Sequence, residues 1–335
     1  METSVETSVE TAVGAPRTTA TGPRPDRPAD RPTVARRVTQ FLKRDFTPTW
    51  RYGFNLGPTL RHARRATPLE AEARRVVAAL RRDGIARTSV TALLGGGDLL
   101  AEVLSRTDDL VADQSADIVA RRRVLAGELA ADALPPGVTK TFLVELLGTD
   151  PRVDPEDPYT RFLRHPQVAG VADAYCRMQL RIRDMNGWLN LASDRPASSS
   201  QLWHRDRPED HSIVKVFVNL TDVEEGSGPL QYVRGSHRGR LRSESFEQSF
   251  DGIGHRISDE DVERRFPVQA REIATGPVGT VVFADTRGLH RGGHATTRDR
   301  VLLHGLYSSR SSVRHPVLLP AEDVPRSALR DFALA

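Results

Sequence analysis

Hydrophobic and polar residues follow two different periods along this chain. Between residues 68 and 175, apolar positions recur every three to four residues, which is typical of amphipathic helices. From residue 176 onward, apolar and polar residues alternate in short runs separated by glycine and proline, which is typical of strands. A helical first half followed by a strand-dense second half predicts an α+β chain built on an antiparallel barrel or double-sheet jelly roll.

The pattern also places individual elements. It predicts helices over residues 68–82, 99–110, 116–131, 140–147, 159–164, 168–175 and 258–265. It predicts strands over residues 85–88, 177–183, 213–220, 230–233, 271–275, 280–283 and 301–307. The Ser-, Asn- and Pro-rich stretch 186–200 is expected to be a loop.

The 335 residues divide unevenly by composition. Residues 1–33 contain a short Glu-Thr-Ser-Val repeat and closely spaced prolines. Such a segment cannot bury enough apolar surface to offset the entropy lost on ordering, so a disordered tail is predicted there. Residues 34–335 are expected to form one domain, with 34–175 as mainly helical support and 176–309 as the strand core. A short basic helix fits residues 34–44.

The charge, the apolar runs and the cysteine content of the chain argue against several classes of protein. The net charge is +4, and arginines are interleaved with Asp and Glu, so no stripe for nucleic acid stands out. No apolar run is long enough to span a bilayer, and no signal peptide is recognisable. The single cysteine, Cys176, is consistent with a reducing cytoplasm. The expected partner is therefore a small molecule, and nothing indicates an oligomeric state.

The segment 201–206 contains the first candidate for chemistry. His204 and Asp206 are two residues apart, so an extended backbone would direct both side chains to the same face. They would supply two of the three ligands of the 2-His-1-carboxylate triad, which holds Fe(II) and leaves coordination positions open. A surface strand can carry such a pair by chance, so the interpretation depends on a third ligand.

His290 is the best third ligand, because it follows a glycine-led strand over 279–285 and lies 84 residues after Asp206. His294 is its rival. The spacing of these two histidines would suit zinc on a helix, but Gly292 and Gly293 between them argue against a helix. Ten residues after His290 comes Arg300, whose planar guanidinium could hold a carboxylate through two parallel hydrogen bonds.

With these residues, the chain resembles the phytanoyl-CoA dioxygenase family of Fe(II)- and 2-oxoglutarate-dependent oxygenases. The likeness rests on Trp-His-Arg-Asp at 203–206, Gly-Pro-Leu-Gln-Tyr-Val-Arg-Gly-Ser-His at 228–237, the 279–285 strand leading to His290, and Arg300. It covers roughly residues 176–309. Gly292 and Gly293 stand where the family usually has a polar residue, and Arg234 replaces a frequent proline, which affects the contacts around the metal ligands and not the ligands themselves.

The resemblance implies a double-stranded β-helix, a cupin-like jelly-roll barrel, with N-terminal and flanking helices. Fe(II) would be held by His204, Asp206 and His290, and Arg300 would bind the distal carboxylate of 2-oxoglutarate. The implied reaction consumes O2, converts 2-oxoglutarate to succinate and CO2, and oxidises a C–H bond of a small molecule. No catalytic residue is implied beyond the metal centre. The carboxylate at Asp206 favours hydroxylation or a related oxidation over halogenation.

Further contacts follow from the predicted strands. The alternation in 177–183 places Gln179, Arg181 and Arg183 on one side, facing either solvent or a polar pocket. In the pocket, Gln179 and Arg181 would touch 2-oxoglutarate and Arg183 would touch substrate. Trp203 is expected to form a wall of the site, and Asn219 is a further substrate candidate.

Two other functions stay open. The same barrel could carry a cupin-like metal-dependent isomerase or a hydrolase, or a non-catalytic module that binds 2-oxoglutarate. The arginine-rich loops are compatible with an anionic or carrier-linked substrate, and segments 186–200 and 238–265 would form the lid. High Arg, Ala and Pro usage is typical of a GC-rich bacterium, in which secondary metabolism is a plausible setting.

Overall fold

The computed structural model describes residues 38, 41–42, 46–136, 138–206, 210–238, 249–250, 255–313 and 316–335. The tail expected over 1–33 and nearly all of the basic helix expected over 34–44 lie outside these residues. The division into a tail and one domain therefore stays a prediction.

The helices lie mainly in the first half of the chain, as predicted. In order they are α1 (Leu56–Arg65), α2 (Ala71–Asp83), α3 (Val90–Leu94), α4 (Asp98–Asp113), α5 (Ser115–Leu125), α6 (Pro158–Arg164), α7 (Pro166–Cys176) and α8 (Asp259–Arg265), and a π-helical segment, Thr49–Phe54, precedes them. None of the helices in the described residues is both long enough and apolar enough to cross a bilayer.

The strands form two main antiparallel sheets. They are β1 (Ile85–Ser89), β2 (Leu143–Glu145), β3 (Arg152–Val153), β4 (Arg181–Asn190), β5 (Val214–Asn219), β6 (Leu230–Val233), β7 (Ser249–Phe250), β8 (His255–Arg256), β9 (Arg271–Ile273), β10 (Thr280–Asp285), β11 (His290–Gly292), β12 (Arg300–Ser308) and β13 (Leu319–Pro320). The larger sheet has the order β1-β10-β5-β12-β4-β2, and the smaller has the order β11-β6-β9. This is the expected α+β jelly-roll core, a double-stranded β-helix with helices before and beside it.

The larger sheet has two different faces. Its helical face packs aliphatic side chains, such as Val216 and Leu303, against α2, α6 and α7 in the main hydrophobic core. Its cavity face directs Phe217, Val282 and Leu302 toward the smaller sheet, where they pack with Tyr232 in a second cluster. Side chains alternate between the faces because successive strand residues point in opposite directions.

Gly84 joins the helical layer to the sheet. It ends α2 in the left-handed conformation, with φ +80°, and its N–H donates to Leu80 O, so the chain turns directly into β1. A Cβ at Gly84 would lie 2.4 Å from both the His237 ring and the Tyr232 hydroxyl. Only glycine therefore allows the helix end to approach the smaller sheet this closely.

Two predicted elements were wrong. Residues 140–147 do not form a helix, because β2 lies there and pairs with β4. Phe142, Leu143 and Val144 are a short buried apolar run, and such a run does not distinguish helix from strand by periodicity. The loop expected from residue 186 begins only after Asn190. The Ser and Pro content that suggested the loop is concentrated after Asn190, and Gly187 lies within β4, where a Cβ would meet Leu146 and Tyr159.

Candidate metal centre

Two extended segments bring the three candidate metal ligands together. His204 and His290 exchange backbone hydrogen bonds of 2.9 Å in both directions, so the 203–206 segment is aligned beside the start of β11. The Asp206 N–H donates to Thr286 O at 3.0 Å, which fixes the other end of the segment. The extended backbone predicted for His204 and Asp206 is present, and both side chains enter the same space.

One potential ligand atom from each of the three residues lies within 4.8 Å of the other two. Asp206 Oδ1 is 4.0 Å from His290 Nε2, and the two imidazole centroids are 4.4 Å apart. His204 and His290 are buried, whereas Asp206 is half-buried. The three side chains therefore surround a space of the size of a single ion.

Backbone carbonyls orient both imidazoles. His204 Nδ1 lies 2.8 Å from Leu202 O, and His290 Nδ1 lies 2.9 Å from Gly288 O. A carbonyl can only accept, so Nδ1 carries the proton on each ring and the lone pair of Nε2 points into the shared space. This second-sphere bond is the usual way in which a metal-binding histidine is held in the correct tautomer.

The protonation states also suit a metal. Burial and the neighbouring His290 lower the pKa of His204 to about 3, and burial lowers the pKa of His290. Burial alone would raise the pKa of Asp206, but the Lys215 ammonium, 2.7 Å from Asp206 Oδ2, and the two imidazoles hold it well below its ordinary value. Two neutral imidazoles and one carboxylate are the donor set that a non-heme Fe(II) site uses, so the residues present fit that ion.

Arg300 lies at the start of β12 and is 5% exposed. One guanidinium nitrogen donates to Gly228 O, while Nε makes no hydrogen bond in the described part of the chain. Burial lowers the pKa of Arg300 to about 10, and no carboxylate side chain among the described residues pairs with it. A buried cation without an anion is costly, so this position suits a ligand carboxylate.

A cavity of about 560 Å³ connects Arg300 to the metal ligands. Side chains from the cavity face of the larger sheet and from the smaller sheet form its walls. Its lining includes Lys140, Phe142, Leu143, Trp188, Asn190, Ser199, Gln201, Arg205, Lys215, Phe217, Asn219, Leu230, Arg256, Ile257, Val282, Gly292 and Leu302. The cavity thus combines an apolar interior with several cations.

Asn219 lines this cavity, whereas three other predicted contacts do not. Gln179 precedes β4 and accepts a hydrogen bond from Arg61 at the surface. Arg181 begins β4, and the cavity begins only at Trp188 and Asn190, so nine residues of strand separate Arg181 from Asn190, or roughly 30 Å. Arg183 is buried near the same distant end and donates to Ser308 Oγ. The structure does not bring these three residues into the cavity, because they lie before or near the start of β4, at the end far from the cavity.

Trp203 is also not a wall of the cavity. It is buried in a third cluster with Val233 and Leu289, where its indole N–H donates to Asp259 and the Arg291 guanidinium covers its ring at 4.7 Å. It therefore supports the ligand-bearing segment from behind. His237, the last residue of the 228–237 motif, is buried at the closely packed Gly84 turn.

Sequence reasoning missed a buried network beneath the ligands. The Asp285 carboxylate receives two hydrogen bonds from the Arg287 guanidinium and one from the Tyr175 hydroxyl. The Tyr232 hydroxyl donates to Asp285 O. These bonds hold the turn that leads from β10 to His290, and the Asp-Thr-Arg sequence at its start was the available signal.

Lys140, Lys215 and Arg256 were missed as well. Lys215 is a charged residue inside the apolar strand Ile-Val-Lys-Val-Phe-Val, and that pattern could have identified it as facing a polar site. Arg256 lies on the short strand β8, and Lys140 is the first residue of the segment 140–147 that was predicted to be helical.

Comparison with known proteins agrees with this geometry. The family model for phytanoyl-CoA dioxygenase (PhyH) matches residues 119–301, which include the metal ligands and Arg300. The chain belongs to the phytanoyl-CoA dioxygenase family. The resemblance drawn from the motifs is thereby confirmed.

The individual proteins that resemble this chain have low sequence identity to it. A protein of Stutzerimonas stutzeri named a probable alpha-ketoglutarate-dependent hypophosphite dioxygenase is 30% identical over 118 residues, which are 33% of this chain and 40% of that protein. Among solved structures, EctD from S. alaskensis with bound Fe is 19% identical over 81% of this chain and 87% of its own, with a TM-score of 0.48. The epimerase SnoN from nogalamycin biosynthesis is 22% identical over 71% of this chain and 81% of its own, with a TM-score of 0.45.

Proposed function

We propose that this protein uses Fe(II), 2-oxoglutarate and O2 to hydroxylate a C–H bond of a small molecule. We place it in the cytoplasm, because its single cysteine suits a reducing compartment. We also place it in bacterial secondary metabolism, because its high content of Arg, Ala and Pro is typical of a GC-rich bacterial genome. The observation that carries the proposal is the convergence of two neutral imidazoles and a carboxylate in a cavity that also contains an arginine without an anion.

Each of the chain's own groups has a defined task. His204, Asp206 and His290 would hold the ion on one side and leave its other positions open to the cavity. Arg300 would orient 2-oxoglutarate by its distal carboxylate. The bound ion and co-substrate supply the oxidising chemistry, with 2-oxoglutarate converted to succinate and CO2. The walls contributed by Trp188, Phe217 and Leu302 limit the access of water.

An anaerobic titration tests this function. Fe(II) and 2-oxoglutarate added to the purified protein should produce a weak visible charge-transfer band with a stoichiometry of one. Admission of O2 should then release succinate. The absence of both signals from folded protein would refute the proposal.

Arg300 discriminates between the oxygenase and a cupin-like isomerase or hydrolase. Arg300→Ala should raise the Kd for 2-oxoglutarate about 100-fold, since a buried, charge-assisted pair contributes about 2–3 kcal/mol. Arg298→Ala is the matched control, because Arg298 is exposed and pairs with Glu224 at the surface. Full activity of Arg300→Ala would favour the isomerase or hydrolase, and ligand binding without succinate release would favour a non-catalytic module.

A further inference from the structure

Three cations border the metal ligands in the cavity, and the reaction as described above uses none of them directly. They are Lys140, Lys215 and Arg256, here called the cation cluster. We propose that the cation cluster binds an anionic group of the substrate. The substrate is then a small molecule with an apolar body and a carboxylate, phosphate or phosphonate group. This inference rests on the proposed function, since it concerns the same cavity.

The cation cluster is close to the metal ligands. Lys215 Nζ is 2.7 Å from Asp206 Oδ2. The Lys140 ammonium is within electrostatic range of Lys215, Arg256 and Asp206, and Arg256 is likewise within range of His204. An anion bound by the cluster would therefore lie beside the metal site, where a substrate has to be.

The charges that line the cavity do not balance. Its lining contains five cationic side chains, and Asp206 is the carboxylate side chain among the described residues that form it. Arg205 is directed to the carbonyls of Ser236 and Arg287, and Arg300 is assigned to 2-oxoglutarate. Fe(II) and the 2-oxoglutarate dianion cancel each other's charge. Among the described lining residues, cationic side chains therefore outnumber carboxylates, and a further anion would offset that difference.

Lys140 has no fixed role in the fold. It makes no side-chain hydrogen bond and no ion pair within the part of the chain that the structure describes, and it is partly buried. Burial and the neighbouring Lys215 and Arg256 charges lower the pKa of Lys140, although the Glu145 and Asp206 carboxylates act in the opposite direction. Holding like charges together away from water costs free energy, and binding of an anion between them would recover part of it.

Lysine is rare in this chain. Only three of its 48 basic residues are lysines, and two of these three line the cavity. An ammonium on a flexible stem can turn its three donors toward an anion whose position varies, whereas a guanidinium requires a fixed planar partner. The lysines are thus suited to a substrate group that moves during turnover.

The residues beside the cation cluster indicate that the rest of the ligand is apolar. Phe142 and Leu143 follow Lys140 closely in the sequence, Ile257 follows Arg256, and all three line the cavity. A charged group held by the cluster would therefore be attached to a body in contact with apolar side chains. An amphiphilic acid satisfies both surfaces, whereas a neutral sugar or a polyamine would not.

The test compares ligands that share a skeleton and differ in charge. Phenylacetate, benzylphosphonate and phenylacetamide are each titrated calorimetrically into anaerobic protein loaded with Fe(II) and 2-oxoglutarate. The two anions should bind at least about tenfold more tightly than the amide. The relative affinity of the carboxylate and the phosphonate then indicates which anionic group the substrate carries. Equal affinity for the anions and the amide would overturn the inference.

Matched variants locate the effect. Lys140→Gln and Arg256→Gln should each weaken anion binding about tenfold and leave amide binding unchanged. Arg82→Gln removes the same charge from an exposed position and should alter neither. If Lys140→Gln weakens 2-oxoglutarate instead of the probes, the cluster serves the co-substrate and the inference is wrong. Circular dichroism identifies any variant that fails to fold, and the conservative Lys140→Arg, which should retain anion binding, then replaces it.

Failure of the proposed function gives a different result. In that case the wild-type protein forms no Fe(II)–2-oxoglutarate complex, and the same probes are titrated into the metal-free protein. A preference for anions there would still support the cation cluster, and its absence would still contradict it.

Discussion

The two faces of the larger sheet are made by the same strands and differ in almost every other respect. On β5, Val214, Val216 and Val218 pack into the main core under the helices. The alternate residues Lys215, Phe217 and Asn219 line the cavity. The helical face of β5 is aliphatic, whereas its cavity face mixes charged, amide and aromatic groups.

This difference suggests that alternate residues of the same strand have different roles, in stability on one face and in ligand binding on the other. Aliphatic side chains on the helical face bury apolar surface and supply most of the free energy of folding. Polar groups on the cavity face are desolvated without full compensation, as the Nε of Arg300 illustrates. Stability and ligand binding should therefore respond to different substitutions on neighbouring residues.

The largest effect is expected at a metal ligand. His290→Ala should weaken Fe(II) binding at least about 100-fold and reduce succinate formation at least about 1,000-fold, because two ligands cannot hold the ion in a defined geometry. The melting temperature of the metal-free protein should change little, since His290 faces the cavity and not the helical core. Iron stoichiometry and thermal unfolding measure the two quantities.

His294→Ala is the control for that substitution. His294 lies four residues away and belongs to no group of metal-ligating side chains among the described residues. It should retain iron and activity. Loss of iron in His294→Ala with retention in His290→Ala would reverse the assignment of the third ligand.

Adjacent leucines on β12 sharpen the comparison between the faces. Leu303 packs in the helical core, and Leu302 lines the cavity. Leu303→Ala should lower the free energy of unfolding by about 3–4 kcal/mol, because it leaves a void in a closely packed layer. Leu302→Ala should cost about 1–2 kcal/mol, because its side chain already borders open space, and should instead raise the Kd for 2-oxoglutarate. Urea denaturation of the metal-free variants measures both. Equal losses of stability would contradict the division between the faces.

The sequence predicted the parts of the site that are tied to local patterns. His204 and Asp206 needed only an extended backbone, and the motifs ending in His290 and Arg300 identified the remaining strands. The Gly-Ser-His segment was part of the motif at 228–237, and Ser236 within it accepts the Leu289 N–H next to His290. Features of this kind can be predicted from the sequence because they depend on residues that are close together along the chain.

The remainder depended on tertiary contacts. Residues around Arg181 do alternate between polar and apolar. However, α7 extends to Cys176, and Arg177 adopts a left-handed conformation with φ 54°. The strand therefore begins only at Arg181, at the end far from the cavity. Lys140 reaches the cavity because β2 pairs with β4, which is a contact between residues about 45 positions apart. Single-sequence periodicity carries no information about such pairing.

The smallest predicted effect concerns a carboxyl on the helical side. Asp173 in α7 accepts the Leu180 N–H at 2.7 Å, and burial raises its pKa to about 7. The folded protein therefore binds this proton more tightly than the unfolded chain. The resulting stability is complete below about pH 4, the ordinary range of an Asp, and is lost as pH rises toward 7. Asp173→Asn stays neutral and keeps an acceptor, so it should match the wild type near pH 4.5 and exceed it by about 1–2 kcal/mol at pH 8, a value reduced for partial exposure of the side chain. Urea denaturation at both pH values measures the difference. Asp109→Asn, at an exposed position of α4, should give the same difference from wild type at both, and an advantage of Asp173→Asn that shrank with rising pH would mean that the Asp173 carboxylate is stabilised by the fold, contrary to the burial observed there.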